Sequence, residues 1–349
     1  MRADTQGLRW LQTTAYNAFA IGLGILAGLV VVVYAGGNLG VALSSLFLNP
    51  VSFSGGIQQI FVRFVLFYTM GMGVGLALKA GLWNIGAQGQ LLVGMVMVFV
   101  VYTFMGFLPW PLLYVSMILG AALGGLLWIA VPTILRVKFG ANEIVVTILL
   151  NVVAFNFAFY MLSGPIKSAG TALGFPHTVE LPALFKIPGI TSAVPITYAV
   201  PATIVIGIIL YFLVERTPFR VKANTVGESL ETAKYAGISI NRIMVITMLA
   251  AGALAGVAGA TYLMGYRYEL DIGSFSTNYG LVAIICALVG RKHMLGIGLA
   301  SFFFAYMTIG AESMALSANV PTYVVFAMEG IMMIGILLGN YLSERKYVT

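Results

Sequence analysis

Charged side chains are scarce in this sequence. Of its 349 residues, 18 are Lys or Arg and 11 are Asp or Glu, so that 8% carry a charge while 60% are hydrophobic. A soluble domain is about 25% charged and about 45–50% apolar. This scarcity excludes an ordinary soluble protein, and the long apolar runs predict an all-α polytopic membrane protein.

Residues that could form disulfides, metal sites or nucleotide sites are also few. Cys286 is the one cysteine, so an intramolecular disulfide is impossible, and the two histidines, His177 and His293, fall in separate loops. The sequence has no H-E-x-x-H pattern and no Gly-Lys pair, which excludes a P-loop. We therefore expect no metal, no ATP site and no other cofactor in this chain.

The positions of the basic residues predict the topology. Apolar runs near the 20 residues that a bilayer crossing needs give about ten transmembrane helices. If they alternate from a cytoplasmic N-terminus, only three of the 18 Lys and Arg residues, Lys167, Lys186 and Arg267, lie outside, and Arg63 lies in the membrane. This asymmetry follows the positive-inside rule. It explains the net charge of +7 without nucleic acid and places both termini in the cytoplasm.

The apolar runs define one transmembrane domain over 1–349. The predicted spans are 18–34, 58–79, 82–106, 111–135, 142–163, 196–214, 243–264, 279–290, 294–311 and 321–341. The eighth is too short for a full crossing. A polar lead at 1–16 precedes the first span, and no signal-peptide cleavage site follows it. Three longer segments lie between spans: an uncharged loop at 36–56, a proline-rich outer loop at 164–195 and a cytoplasmic segment at 215–242.

The segment 215–242 is the most polar part of the chain and predicts a short docking helix. Ser229 can cap its N-terminus, Glu231 suits its positive end, and Gly237 can close it in a left-handed conformation. The face offered to a soluble partner would consist of Leu230, Ala233, Tyr235, Ala236 and Gly237. A solvated loop with a single helical turn is the alternative.

Polar residues inside the spans are candidates for a substrate pathway. Glu143, Thr147 and Asn151 recur at i, i+4 and i+8 and form one stripe on a helix. Asn84 and Gln88 are one turn apart, with Gln90 facing elsewhere, and amides suit a sugar hydroxyl or a base edge. The alternative is that these side chains cap helix ends or hold helices together.

Arg63 and Glu329 are the ionisable residues placed deepest in the apolar runs. Because a charge at the bilayer centre costs about 2.5–3.5 kcal/mol or more, each should face protein or water. Glu329 is an interior carboxyl that is protonated or hydrogen-bonded, or else a substrate contact. The sequence leaves open whether the two form a pair.

Two spacing patterns concern helix packing. Gly252, Gly256 and Ala260 follow a small-xxx-small spacing, which allows close helix approach within the chain or at a subunit interface. Asn84-x-Gly86 and Asn278-x-Gly280 begin two oppositely directed spans, which indicates an inverted repeat with a midplane pathway. Coincidence is the alternative for two such short matches.

Several blocks together resemble one protein family. These blocks are Leu82-Trp83-Asn84-Ile85-Gly86-Ala87-Gln88-Gly89-Gln90, Asn142-Glu143-Ile144-Val145, Val226-Gly227-Glu228-Ser229, Ala233-Lys234-Tyr235-Ala236-Gly237-Ile238 and the small-residue run 251–260. They resemble, in the family's order, the permease subunits of ABC importers for branched-chain amino acids, simple sugars and nucleosides, and most resemble the nucleoside branch. Gln88 stands where the family often has Glu, and Glu329 where it more often has Gln.

The resemblance implies a fold and a set of partners. The fold would be of the type II ABC importer kind, in a prokaryotic cell membrane. Two permease subunits, the second a related but different chain, would form a pathway for nucleosides that works by alternating access. ATPase subunits carrying ATP and Mg²⁺ would dock on the coupling segment, and an extracytoplasmic binding protein would deliver the substrate.

The polar residues of the spans and the coupling segment are the candidates for these functions. The predicted pathway residues are Asn84, Gln88, Glu143, Thr147, Asn151 and Glu329. The predicted ATPase-coupling residues are Gly227, Glu228, Ser229, Glu231, Ala233, Tyr235, Ala236 and Gly237. Simple sugars, riboflavin-like ligands and amino acids remain open as substrates. A transporter driven by an ion gradient through Glu329 and Arg63 is the alternative from another class.

Overall fold

The computed structural model describes residues 2–53, 55–168, 175–190, 196–275, 278–317 and 323–345. Over these residues the chain is helical, and the only β-pairings are isolated bridges between His177 and Asp271 and between Gly189 and Thr197. The helices are α1 Arg2–Tyr34, α2 Leu39–Phe47, α3 Asn49–Ser52, α4 Gly56–Lys79, α5 Ala87–Phe104, α6 Trp110–Phe139, α7 Glu143–Ser163, α8 Ala199–Leu210, α9 Pro218–Glu228, α10 Leu230–Tyr235, α11 Ile240–Tyr262, α12 Tyr279–Val289, α13 Met294–Ser317 and α14 Tyr323–Arg345. Single π-helical turns follow α8, at Tyr211–Glu215, and α11, at Leu263–Arg267.

The helices confirm an all-α polytopic membrane protein. In the described part of the chain, 7 helices are long and apolar enough to cross a membrane, and 8 if the bent pair Ala199–Glu215 and Pro218–Glu228 counts as one span. The shorter apolar helices Ala18–Tyr34 and Ala327–Ile336 occupy the predicted first and last spans. The predicted short eighth span forms α12, whose 11 residues reach about 16 Å. It counts among the seven candidate spans only as part of the longer stretch Ile272–Val289.

Two predicted boundaries were wrong, and a third predicted loop lies between helices as expected. The expected loop at 36–56 contains α2, which Asn38 caps by accepting from the amides of Gly40 and Val41, and α3. The third span begins at Ala87 rather than at residue 82, because Gly81 has a left-handed φ of +73° and Asn84 bonds out of helical register. The predicted loop at 164–195 is partly described and contains a 3₁₀ turn at Ala183–Phe185, while 169–174 and 191–195 lie outside the described residues.

The chain divides into two compact units, 61–302 and the pair of segments 1–60 and 303–349. In the larger unit, α11 packs against α5 and α6 through glycines. A Cβ atom at Gly256 would lie 2.0 Å from the carbonyl oxygen of Ala121, and one at Gly94 would lie 2.6 Å from the Cα atom of Gly256. The predicted close approach at Gly252 and Gly256 is confirmed, and it occurs between helices of this chain.

In the smaller unit, α1 pairs with α14 and α2 packs on α13. Gly24 and Gly28 of α1 face Met332 and Met328 of α14. A Cβ atom at Gly310 of α13 would lie 2.1 Å from the carbonyl oxygen of Leu46 in α2, and Asn49 of α3 donates to the Ser313 hydroxyl over 3.1 Å. Small residues again set the distance between helices.

Candidate coupling site and pathway residues

The polar segment folds into two short helices rather than the single predicted helix. The Thr217 hydroxyl accepts from the amide of Phe219, and Pro218 takes the first position of α9, where no amide is needed. Ser229 then caps α10, as predicted, by accepting from the amide of Thr232 over 3.2 Å. Gly237 closes α10 with a φ of +68°, also as predicted. The segment therefore holds a helix pair, here called the coupling pair, Pro218–Tyr235.

One side of the coupling pair is buried against the rest of the larger unit. Ala233 is 0% exposed. It belongs to an apolar cluster that also contains Ala77, Ala80, Leu82, Ile129, Ala223, Val226, Ile243, Met244, Met248 and Ala251. The expectation that Ala233 offers a face to a partner was wrong, because its small side chain is what lets α10 pack closely on α4 and α11. We call the end of the larger unit that carries this cluster the coupling end.

The other side of the coupling pair is open. Tyr235 is 93% exposed and Leu230 is 47% exposed. Ser229 is half-buried, and the other predicted coupling positions, Gly227, Glu228, Glu231, Ala236 and Gly237, each keep exposed surface. A tyrosine displayed this fully beside a leucine and two carboxylates is suited to contact a protein.

The hinge of the coupling pair touches the break between α4 and α5. A Cβ atom at Gly227 would lie 2.3 Å from the carbonyl oxygen of Lys79 and 2.8 Å from the amide nitrogen of Gly81. A Cβ atom at Gly81 would in turn lie 3.0 Å from the Cα atom of Gly227. Only glycine fits at either position without separating the two backbones.

A buried ionic cluster, here called the Glu215 cluster, holds the same junction. Lys79 Nζ lies 3.0 Å from Glu215 Oε1, and the two side chains are 6% and 2% exposed. Arg220 Nε lies 3.7 Å from Glu215 Oε2, and the amide of Met294 donates to Glu215 Oε1 over 3.4 Å. The cluster thus joins the end of α4, the 73° bend between α8 and α9, and the start of α13.

Neither Lys79 nor Glu215 was predicted to be a functional residue. Each closes an apolar run, where a charge is expected at a membrane surface. The available signal was that two apolar runs, far apart along the chain, end in opposite charges. Which helix ends meet depends on the tertiary fold.

Glu143 lies in a second ionic contact at the start of α7. Its Oε2 atom is 3.3 Å from Arg136 Nε, and its Oε1 atom accepts from the amide of Trp83 over 3.4 Å. Asn142 caps α7 by accepting from the amide of Ile144, and the Thr147 hydroxyl donates to the carbonyl oxygen of Glu143. These contacts fit the capping alternative for Glu143 and Thr147.

Asn84 forms a reciprocal amide pair with Gln90. Asn84 Nδ2 donates to Gln90 Oε1 over 3.0 Å, and Gln90 Nε2 donates back to Asn84 Oδ1 over 2.9 Å, with both side chains buried. Asn84 Oδ1 also accepts from the amide of Gly86. The expectation that Gln90 faces elsewhere was wrong, because the segment before Ala87 is not helical.

Asn151 and Gln88 connect the break before α5 to other helices. Asn151 Nδ2 donates to the carbonyl oxygen of Ile85 over 2.9 Å, and its Oδ1 atom accepts from the amide of Gly89 over 2.8 Å. Gln88 Oε1 accepts from the amide of Gly280 over 2.9 Å. The start of α5, at Gln88, therefore meets the start of α12, at Gly280.

Glu329 belongs to the smaller unit, whereas the other five predicted pathway residues lie in the larger one. It is half-buried and lines a cavity of about 20 Å³ together with Ile25, Leu46, Met328 and Met332. That volume is about enough for one water molecule. Substrate contact by any of the six residues stays a prediction.

Known sequences identify the family of this chain. The profile of the family described as branched-chain amino acid transport system / permease component matches residues 56–337. The glucose ABC transporter permease protein TsgB13 of Haloferax volcanii is 30% identical over 328 residues, which cover 88% of this chain and 85% of that protein. The guanosine ABC transporter permease protein NupP of Bacillus subtilis is 29% identical, over 88% of both chains. The nucleoside ABC transporter permease protein NupB of Lactococcus lactis is 25% identical, over 87% and 85%. Because the profile and these relatives match most of its length, the chain is an ABC transporter permease that belongs to the branched-chain amino acid transport system permease family.

Proposed function

We propose that this permease forms the translocation pathway of an ATP-driven importer for nucleosides and works by alternating access. The observation that carries the proposal is the contact of the coupling pair with the break between α4 and α5. An exposed helix surface on one side and a rigid junction on the other are what a force-transmitting element requires.

The coupling pair is fastened to the junction at three points. Ala233 lies inside a buried apolar cluster. The backbone at Gly227 packs directly against the backbone of Lys79 and Gly81. Glu215 connects the bend before α9 to α4 and α13 through an ion pair and a hydrogen bond. Packed interiors transmit displacement rather than absorbing it. A movement imposed on Tyr235 by an ATPase subunit would therefore move the segment before α5.

The segment before α5 is connected to the helices around it. Asn151 joins it to α7, and Gln88 joins the start of α5 to the start of α12. Broken or short helices whose ends meet inside a membrane protein are typical of substrate pathways in transporters. Displacement of the segment would change how α5, α7 and α12 are arranged, which is the change that alternating access needs.

Nucleosides are the proposed substrate class. Two of the relatives with long matches, NupP and NupB, are named as guanosine and nucleoside permeases. A simple sugar is the second candidate, because TsgB13, at 30% identity, is named as a glucose permease. Both classes present several hydroxyl groups.

The proposal includes partners and an orientation. ATPase subunits holding ATP and Mg²⁺ would bind the coupling pair, a related second permease would complete the pathway, and a binding protein would deliver substrate from outside. The excess of Lys and Arg on one set of loops supports a prokaryotic cell membrane location with the coupling pair and both termini in the cytoplasm.

The test is uptake and ATP hydrolysis by the chain reconstituted in proteoliposomes with its co-purified partners. We expect guanosine or uridine to stimulate ATP hydrolysis, glucose to have no effect, and uptake to persist when an ionophore collapses ion gradients. Stimulation by glucose alone would establish the sugar candidate instead. Uptake that needs no ATP and follows an imposed gradient would overturn the ATP-driven mechanism.

A further inference from the structure

A cavity lies at the end of the larger unit opposite the coupling end. Its volume is about 500 Å³, within the range of about 300–1,000 Å³ usual for small-molecule sites. It opens between the α5–α6 connection and the segment after α7. The lining residues are Tyr102, Thr103, Gly106, Leu108, Trp110, Leu113, Pro165, Ile166, Lys167, Val179 and Phe185.

The polar groups of this cavity favour an anion. Among the lining residues, Lys167 carries an ammonium group, Tyr102 and Thr103 carry hydroxyls, and Trp110 carries an indole N–H. None of the described lining residues is acidic. The other cation of this loop, Lys186, is neutralised by an ion pair with Glu180 and sits 4.3 Å from the centre of the Tyr268 ring.

The surroundings of the cavity have the composition of a membrane interface. Phe104, Phe107 and Trp110 are 62%, 80% and 55% exposed around the α5–α6 connection. Aromatic side chains of this kind gather at the level of lipid headgroups. An exposed apolar stripe also runs along α6 through Leu112, Val115, Leu119, Leu123 and Leu127, and it begins on the helical turn that contributes Trp110 and Leu113 to the cavity lining.

We propose that this cavity binds the headgroup of an anionic phospholipid from the leaflet opposite the coupling pair. The phosphate would lie against the Lys167 ammonium group and accept from the Tyr102 and Thr103 hydroxyls, since phosphate oxygens bind cations and donors together. The acyl chains would lie along the exposed stripe of α6. A basic side chain at the cavity, exposed aromatic residues around it and an apolar stripe that begins on the same turn of α6 favour a lipid over a soluble phosphate.

The test is lipid retention by the purified full chain with its co-purified subunits, measured by native mass spectrometry after incubation with phosphatidylglycerol or phosphatidylcholine. We expect preferential retention of phosphatidylglycerol. The variant Lys167→Gln should reduce that retention about fivefold, since one basic residue near a lipid surface contributes about 1 kcal/mol. Lys186→Gln removes the same charge from the same loop and should leave retention unchanged.

Three outcomes would overturn the proposal: equal retention of the two lipids, equal loss in the Lys186→Gln variant, or full displacement of the lipid by free glycerol phosphate. Lys167→Gln should keep the thermal unfolding midpoint of the wild type in the absence of added lipid, which separates lost binding from lost folding. Because the assay measures neither uptake nor ATP hydrolysis, its result does not depend on the proposed transport function.

Discussion

Lys79 Nζ lies 3.0 Å from Glu215 Oε1, in a contact almost closed to solvent. The two residues are far apart in sequence, and each ends an apolar helix run. Their pairing joins α4 to the bend that leads into the coupling pair. An intact buried ion pair contributes little to net stability. Removal of one partner is strongly destabilising, because the other charge then stays buried and unpaired.

The first prediction concerns this pair. Glu215→Gln should lower the free energy of unfolding by about 3–5 kcal/mol, because it leaves the Lys79 ammonium group buried without its carboxylate. The measurement is the thermal unfolding midpoint of the purified complex. Lys79→Met/Glu215→Gln should recover much of the loss, since no buried charge then remains uncompensated.

Glu180→Gln is the control for the loss of a carboxylate. Glu180 is 63% exposed in its ion pair with Lys186, so its removal should cost no more than about 1 kcal/mol. Equal effects of Glu180→Gln and Glu215→Gln, or no recovery in the double variant, would contradict the assignment of Glu215 as the buried link.

The second prediction concerns the contact between the coupling pair and the break before α5. Gly227→Ala should impair coupling, because its methyl group would be forced to within 2.3 Å of the Lys79 carbonyl oxygen. Overpacking of this kind costs about 1–3 kcal/mol. The measurement is the ratio of substrate transported to ATP hydrolysed in proteoliposomes, which we expect to fall.

Gly22→Ala is a matched control, because a Cβ atom there meets nothing within 4 Å. It should leave the transport ratio unchanged and stabilise α1 slightly, as alanine favours a helix over glycine by about 1 kcal/mol. A Gly227→Ala variant with wild-type coupling would mean that the junction tolerates displacement.

The third prediction concerns the exposed surface of the coupling pair. Tyr235→Ala should weaken binding of the ATPase subunit by about 2 kcal/mol, or about 30-fold, as expected when a central interface tyrosine is removed. The side chain is 93% exposed, so folding should be unaffected. Co-purification and a titration of ATPase subunit against the immobilised permease would measure the change.

Tyr34 provides the comparison, since it is also 93% exposed but lies at the end of α1. Tyr34→Ala should bind the ATPase subunit as wild type does. If both variants bind normally, the partner does not use the Tyr235 face.

The fourth prediction separates helix packing from substrate contact at Asn151. Asn151→Leu removes both hydrogen bonds to the segment before α5 and should cost about 1–2 kcal/mol of stability, since each such bond in a membrane protein contributes about 0.6–1 kcal/mol. If the residue acts through packing, KM for guanosine should change by less than about twofold. Thermal unfolding and uptake kinetics together provide the measurement.

Asn156→Leu on the same helix is the matched control, because Asn156 is exposed and donates only to Val152 within α7. It should leave the unfolding midpoint near that of the wild type. A change in KM of more than about tenfold in Asn151→Leu, without loss of stability, would instead place Asn151 in the pathway.

Local patterns accounted for several features of the coupling pair. Ser229 and Gly237 begin and end α10 as expected, because a capping hydroxyl and a left-handed glycine act on their own backbone neighbours. The exposure of Ala233 was predicted wrongly from the same stretch. Whether an alanine on a short amphipathic helix faces a partner or its own chain depends on what the rest of the chain places beneath it.

For the polar residues of the spans, too, the sequence did not predict which groups each side chain contacts. Helical spacing grouped Asn84 with Gln88, but the chain is not helical before Ala87, and Asn84 pairs with Gln90 instead. The amides could be recognised as hydrogen-bonding groups from the sequence. Their partners could not, since Asn151 and Gln88 bond to backbone groups that are distant along the chain.

The sequence by itself determined the membrane class, the approximate positions of the spans, the short twelfth helix and the polar coupling segment, because hydropathy, charge and capping act over short distances along the chain. Only the tertiary structure decided that Glu215 meets Lys79, that Gly227 meets Gly81, and that Gln88 at the start of α5 meets Gly280 at the start of α12. These relationships arise from side chains and backbones brought together by packing, and the pairing of distant helix ends has no signature within either segment.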